Sequence, residues 1–210
     1  MMKRLFYGTA FALLAQLAVA ATLDQSVIDA REAFQLGDRA GLSRQMAAVR
    51  GHELEPYVES WLLTQRLEEL TPGEVGDFVT RYGGSYVAES LRGKWLKVLG
   101  RRQQWEIFDR IYPNMVQLDQ ELRCYAVQSQ LLRGDTEGLD EVRPLWFRQL
   151  DLPESCMPVM ERLIHDGRLS NDDVWERMRR LLEGRRYGAA NSIAEYLPNA
   201  QKPKPKALLL

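Results

Sequence analysis

Ser85 to Tyr112 reads SYVAESLRGKWLKVLGRRQQWEIFDRIY. Leu91, Trp95 and Leu99 fall four residues apart, and Trp105, Phe108 and Ile111 fall three apart. That spacing puts each set on one face of an α-helix rather than on alternate faces of a strand. Between the two sets stands Gly100, followed by Arg101: a glycine where a left-handed residue ends a helix, then a polar restart. The stretch predicts two amphipathic helices joined by a tight turn. Such a hairpin buries one face by itself and needs neighbours for the other.

The arrangement continues in both directions. To within a few residues, helices are expected at Asp24–Leu36, Arg39–Arg50, Glu55–Leu70, Pro72–Tyr82, Ser85–Leu99, Gln103–Tyr112, Leu118–Arg133, Thr136–Leu150, Pro153–Asp166, Asn171–Glu183 and Tyr187–Tyr196. Thr71 before Pro72 is an N-cap followed by proline at the first helical position, where its missing N–H costs nothing. Ser170, with Asp173 three residues on, sets a capping hydroxyl and an acid at the positive end of the next helix. Gly37, Gly100, Gly134, Gly167 and Gly184 each follow an apolar run at a place that suits a left-handed stop. Those at 100, 134 and 167 are spaced by 34 and 33 residues, the length of a tetratricopeptide-type hairpin, although that repeat's consensus does not recur and Gly184 falls at half a period. The expected fold is all-α: an α-solenoid of antiparallel helical hairpins, TPR-like, over residues 21–198. The last hairpin, Asn171 to Tyr196, is expected to expose apolar surface. Residues 199–210 read as a linker or truncated tail, since the prolines of Lys202-Pro203-Lys204-Pro205-Lys206 exclude a helix.

Residues 1–20 read as a signal peptide. Lys3 and Arg4 supply the positive start, Leu5 to Leu17 the apolar run, and Ala18-Val19-Ala20 the small-residue site, with cleavage expected after Ala20 or Ala21. Gly8, Thr9 and Gln16 interrupt a run already short for a membrane span, so an exported protein without a stable membrane anchor is expected. The chain has 28 basic and 29 acidic residues. Removing the leader leaves 26 against 29, a net charge of −3, with the cations dispersed among acids. Nucleic acid is therefore not an expected partner. In an oxidising compartment the two cysteines, Cys124 and Cys156, favour one disulfide over two buried thiols. His52 and His165 have no Cys-x-x-Cys or His-x-x-x-His partner, so no metal and no cofactor is expected.

Trp61, Trp95, Trp105, Trp146 and Trp175 invite a sugar-stacking reading, but Trp61, Trp95 and Trp105 lie at helical spacing on apolar stripes, and interhelical packing is expected for all five. Glycoside cleavage needs paired carboxylates. Glu68-Glu69, Asp172-Asp173 and Glu53 with Glu55 are available, but on polar faces or at helix starts, where solvation and capping account for them. The histidines are expected to be capping or surface residues. The chain carries no Gly-x-Ser-x-Gly, Walker or dinucleotide motif.

Several strings resemble the N-terminal superhelical region of soluble lytic murein transglycosylases. They are His52-Glu53-Leu54-Glu55-Pro56-Tyr57 with Trp61-Leu62; Phe78-Val79 with Tyr82; Leu91-Arg92, Trp95-Leu96, Leu99-Gly100, Trp105 and Phe108; Leu122-Arg123-Cys124-Tyr125; Leu152-Pro153-Glu154-Ser155-Cys156; and Trp175-Glu176-Arg177. They occur in the family's order from Asp24 to Pro198. The resemblance implies a periplasmic scaffold whose hairpins curl into part of a ring that holds a catalytic domain. The family cleaves the glycan of peptidoglycan (murein) non-hydrolytically, leaving a 1,6-anhydro end, with a glutamate in a Glu-Ser-x-Phe-like motif followed by Gly-Leu-Met-Gln. Here Glu-Ser occurs at Glu59-Ser60, Glu89-Ser90 and Glu154-Ser155, none with the required aromatic, and Gly-Leu-Met-Gln is missing. No catalytic residue is therefore expected in this chain, and it is expected to be inactive alone. Because members of the family run on for several hundred residues, a fragment, a truncated gene or a shortened relative is expected. The partners implied are peptidoglycan glycan strands or a missing catalytic domain. The alternative is a free-standing adaptor gripping a periplasmic protein.

Overall fold

A computed structural model describes residues 22–202 of the chain, so the signal-peptide expectation for residues 1–20 and the end of the tail lie outside the described residues. Among the described residues the structure is all-helical, without strands. The chain divides into two compact units, one up to Val98 and one from Leu99.

In the first unit, α1 (22–35) leads through a turn to α2 (Arg39–Ala48), whose N-cap Asp38 accepts from the Gly41 amide. There follow α3 (Glu55–Thr64), a 3-10 turn at Leu67–Glu69, α4 (Pro72–Tyr82) and α5 (Tyr86–Arg101), whose last three residues belong to the second unit. The start of α4 is the capping site expected from the sequence: Thr71 accepts from the Glu74 amide while Glu74 reaches back to the Thr71 amide. Val27, Ala30, Ala33, Leu42, Val49 and Val58 form a core on which Phe34, Met46, Trp61 and Leu62 pack. The helix expected to run to Leu70 ends at Thr64, where Gln65 and Arg66 break off into the 3-10 turn.

The second unit contains α6 (Trp105–Ile111), α7 (Gln120–Leu132), α8 (Gly138–Arg148), α9 (Met157–His165), α10 (Asn171–Glu183) and α11 (Tyr187–Ala194). Successive helices pack on one another, α6 on α7, α7 on α8, α8 on α9 and α10 on α11, as hairpins in series require. Their buried faces meet in one core that includes Leu139, Trp146, Val159, Met160, Leu163, Val174, Met178, Leu181 and Ile193. Ser170 and Asp173 form a second capping box at the start of α10. Cys124 on α7 and Cys156, just ahead of α9, are joined by a disulfide with Cα atoms 4.9 Å apart, and both residues are fully buried.

Gly37, Gly134 and Gly167 end their helices in the left-handed conformation, as their positions imply. Gly100 does not. The helix runs through it to Arg101, and Gln103 takes the left-handed turn at φ 55°. Gly100 serves contact instead: a Cβ there would lie 2.4 Å from Cγ of the Tyr125 ring, so a side chain would displace the ring. At the end of α10, likewise, Gly184 keeps φ −77° and Arg185 takes the positive φ of 58°. On the last hairpin Ala190, Ile193 and Ala194 are buried and Leu182 and Tyr196 pack on the core. Its exposed large apolar side chain is Tyr187; the other outward residues of α11, Gly188, Ala189, Asn191 and Ser192, are small or polar, in place of the apolar surface expected there.

Candidate functional site

In each candidate acid pair one carboxylate is committed to local structure. Glu69 pairs with Arg39 at 3.2 Å, Glu55 accepts from the Gly51 amide at 2.7 Å, and Asp173 accepts from the Ser170 amide at 2.8 Å in the capping box of α10. Glu53 and Asp172 are exposed. His52 accepts from the Leu54 amide through Nδ1, which makes Nε2 the donor to Asp24, 3.0 Å away. His165 is exposed beside Asp166. Asp166 is held below the usual carboxylate range, chiefly by its hydrogen bond from Arg162 and then by His165.

In two of the three Glu-Ser dyads the carboxylate is engaged as well. Both Glu59 oxygens receive Arg81, at 2.7 and 2.5 Å, and the Tyr82 hydroxyl donates at 3.2 Å. Glu89 pairs with Arg92 at 3.1 Å with both side chains largely covered. Glu154 is exposed in a 3-10 turn, while Ser155 is buried and donates to the Glu121 carbonyl at 3.1 Å. The tryptophans pack as expected. Trp95 and Trp146 are buried, Trp61 stacks on Phe34 with centroids 5.8 Å apart, Trp105 meets Phe108 and Tyr125, and Trp175 lies against the second core.

Three arrangements were not read from the sequence. Arg177 is 5% exposed and donates to the carbonyls of Trp146, Gln149 and Leu150 at 2.6, 2.8 and 3.2 Å, with its guanidinium 4.8 Å from the Trp146 ring centroid. Burial, and then Arg180, lower its pKa to about 10, which leaves it cationic at neutral pH. The available signal was its place on the apolar stripe Val174, Met178, Leu181. The Glu59–Arg81–Tyr82 link ties α3 to α4. Asp109 binds Ser129 and Arg133 beside a surface concavity of about 310 Å³ lined by Tyr112, Pro113, Ala126 and Gln130. Among the described residues no three His, Cys, Asp or Glu side chains gather to hold a metal ion, and no helix is long and apolar enough to cross a membrane.

Glu74 is held at about 2, first by the Thr71 amide, then by the Thr71 hydroxyl and Arg66. A carboxylate depressed by folding contributes stability above its ordinary value of 4.5, and that contribution is lost as pH falls from 4.5 towards about 2. The stability–pH curve of Glu74→Gln should therefore be shallower across that acid limb. Thermal midpoints taken at intervals from neutral pH down to pH 2 would show it, and identical limbs would contradict it.

No protein-family model matches the chain, and no curated protein matches it. Solved structures do. The 70 kDa soluble lytic transglycosylase Slt70 of Escherichia coli aligns over 90% of this chain and 31% of its own, with a TM-score of 0.67 and 18% identity. An inactive mutant of the lytic transglycosylase Slt from Pseudomonas aeruginosa aligns over 83% of this chain and 28% of its own, with a TM-score of 0.60 and 28% identity. This chain thus spans about three-tenths of the length of the chains it matches. Over 83 to 90% of its residues it is an all-helical likeness of part of the soluble lytic transglycosylases.

Proposed function

We propose that this chain is a helical scaffold of the lytic transglycosylase system of the bacterial cell wall. It works in the periplasm and engages peptidoglycan glycan strands, or a catalytic domain acting on them, without cleaving the glycan itself. The observation that carries this reading is the 28% identity to Pseudomonas aeruginosa Slt over 83% of the chain. Export rests on Lys3, Arg4, the apolar run and Ala18-Val19-Ala20, with removal of the leader after Ala20 or Ala21. The buried disulfide is consistent with an oxidising compartment. The division of labour rests on the Glu-Ser dyads: a general acid must be able to reach the glycosidic oxygen, whereas Glu59 is engaged at both oxygens, Glu89 is covered in an ion pair, and Glu154, exposed on a turn, is followed by Ser155-Cys156-Met157 without the aromatic of the family's motif.

The test is incubation of the full chain with purified murein sacculi, followed by sedimentation and chromatography of the supernatant. Retention on the sacculi without release of 1,6-anhydromuropeptides is expected. Release abolished by one Glu substitution would overturn the scaffold reading. Failure to bind sacculi, with one periplasmic protein co-purifying, would replace it with that of an adaptor.

A further inference from the structure

Arg177 to Arg186 holds five arginines, at 177, 179, 180, 185 and 186, against the single acid Glu183. Tertiary structure adds Arg148 to them. The end of α8 is clamped to α10 by Arg177, which binds the Gln149 and Leu150 carbonyls. Leu150 lies against Gly184, where an added Cβ would meet Cδ1 at 3.2 Å. Arg186 forks onto both oxygens of Asp151, at 2.9 and 2.8 Å. The end of α8, the end of α10 and the start of α11 therefore form one corner.

Two of its cations have structural work: Arg177 on carbonyls and Arg186 on Asp151. Arg148, Arg179 and Arg185 are exposed and have no carboxylate within ion-pair distance among the described residues. Elsewhere in the same unit Arg110, Arg133, Arg162 and Arg168 each sit on a carboxylate. Arg148 and Arg185 flank the contact of Leu150 with Gly184, and unpaired like charges held near one another raise the local potential for an anion, whereas Arg179, two positions from the inward-facing Arg177, is turned to the outer side of α10. Arg185 also holds a left-handed backbone, which a side chain other than glycine adopts at a cost. Tyr187, 50% exposed, adds an aromatic surface beside Arg186. Guanidiniums match carboxylates as planar forks, and an exposed ring offers an apolar surface with a polar tip.

We propose that this corner of α8, α10 and α11 is a binding site for the stem-peptide carboxylates of peptidoglycan, with Arg148 and Arg185 taking carboxylates and Tyr187 covering a sugar or peptide face. It rests on the cell-wall reading above and gives that reading a place on the molecule. A membrane surface is the poorer fit, because Tyr187 and Leu150 alone supply large exposed apolar side chains here.

The experiment compares the full chain with Arg148→Glu/Arg185→Glu in sedimentation with purified sacculi, with sacculi whose carboxylates have been amidated, and with phosphatidylglycerol vesicles. Neither arginine makes an internal ion pair, so the thermal midpoint of the variant should match that of the parent; Arg148→Gln/Arg185→Gln serves if the reversal disturbs folding. Retention on native sacculi should fall on the order of tenfold in the variant, the size of one lost charge-assisted hydrogen bond. It should fall similarly for the parent on amidated sacculi and weaken with salt. Retention of the variant equal to that of the parent, or parent retention unchanged on amidated sacculi, would sink the site and leave the cell-wall reading standing. No retention of the parent at all would sink both, and arginine-dependent binding to vesicles instead of sacculi would assign the corner to membranes.

Discussion

Arg177→Met should destabilise the second unit by about 3–5 kcal/mol, the loss expected when several buried carbonyls are left without a donor. The Trp146 carbonyl lies in the last turn of α8, where the backbone has no intrahelical donor, and the Gln149 and Leu150 carbonyls lie just beyond it. Arg177 satisfies all three with a charge that also complements the negative end of the helix. Methionine would fill much of the volume but offers no donor, and a buried carbonyl left alone costs about 1–3 kcal/mol. Partial entry of water keeps the total below the simple sum. The Trp146 ring would lose its cation as well, while its indole N–H bond to the Asp173 carbonyl at 3.0 Å would remain. Arg177→Lys should recover only part of the loss, because one ammonium cannot span carbonyls served by two arms of a fork. Denaturant midpoints would measure both. A methionine variant within about 1 kcal/mol of the parent would show that the carbonyls find other donors.

Breaking the Cys124–Cys156 bond should cost about 3–4 kcal/mol, because it closes a segment with a sequence separation of 32 and so limits the unfolded chain. The effect should appear as a lower denaturant midpoint in dithiothreitol, and again in Cys124→Ala/Cys156→Ala. The link fastens the Glu154–Cys156 turn to α7, where Ser155 bonds the Glu121 carbonyl and Gln128 donates to the Ser155 carbonyl at 2.5 Å. These polar bonds are expected to keep the native fold once the sulfurs part, so the loss should lie in stability rather than in helix content. Equal midpoints with and without reductant would contradict the entropic account.

Periodicity carried the helices because an amphipathic stripe is a local property of the chain. Leu91, Trp95 and Leu99 lie on one face whatever surrounds them, and Thr71 and Ser170 cap with residues three positions away. The disulfide was legible as a pairing because two cysteines allow a single internal bond. Glycine was less dependable. Its left-handed use at Gly37, Gly134 and Gly167 is local, but Gly100 exists for the Tyr125 ring, 25 positions away in sequence, and no spacing rule reveals a ring overhead.

What the sequence alone determined is an all-helical chain with helix starts set by capping and an apolar face on each helix. Its strings also carried the resemblance to lytic transglycosylases. Only the tertiary structure decided what the charged residues do. Arg177 is buried because three carbonyls at and just beyond the end of α8 meet it, Glu59 is occupied because Arg81 reaches across from α4, and Arg148 is brought to the end of α10 because Leu150 packs on Gly184. Packing periodicity repeats every few residues along one chain, whereas a charge is defined by the groups that folding brings to it from elsewhere.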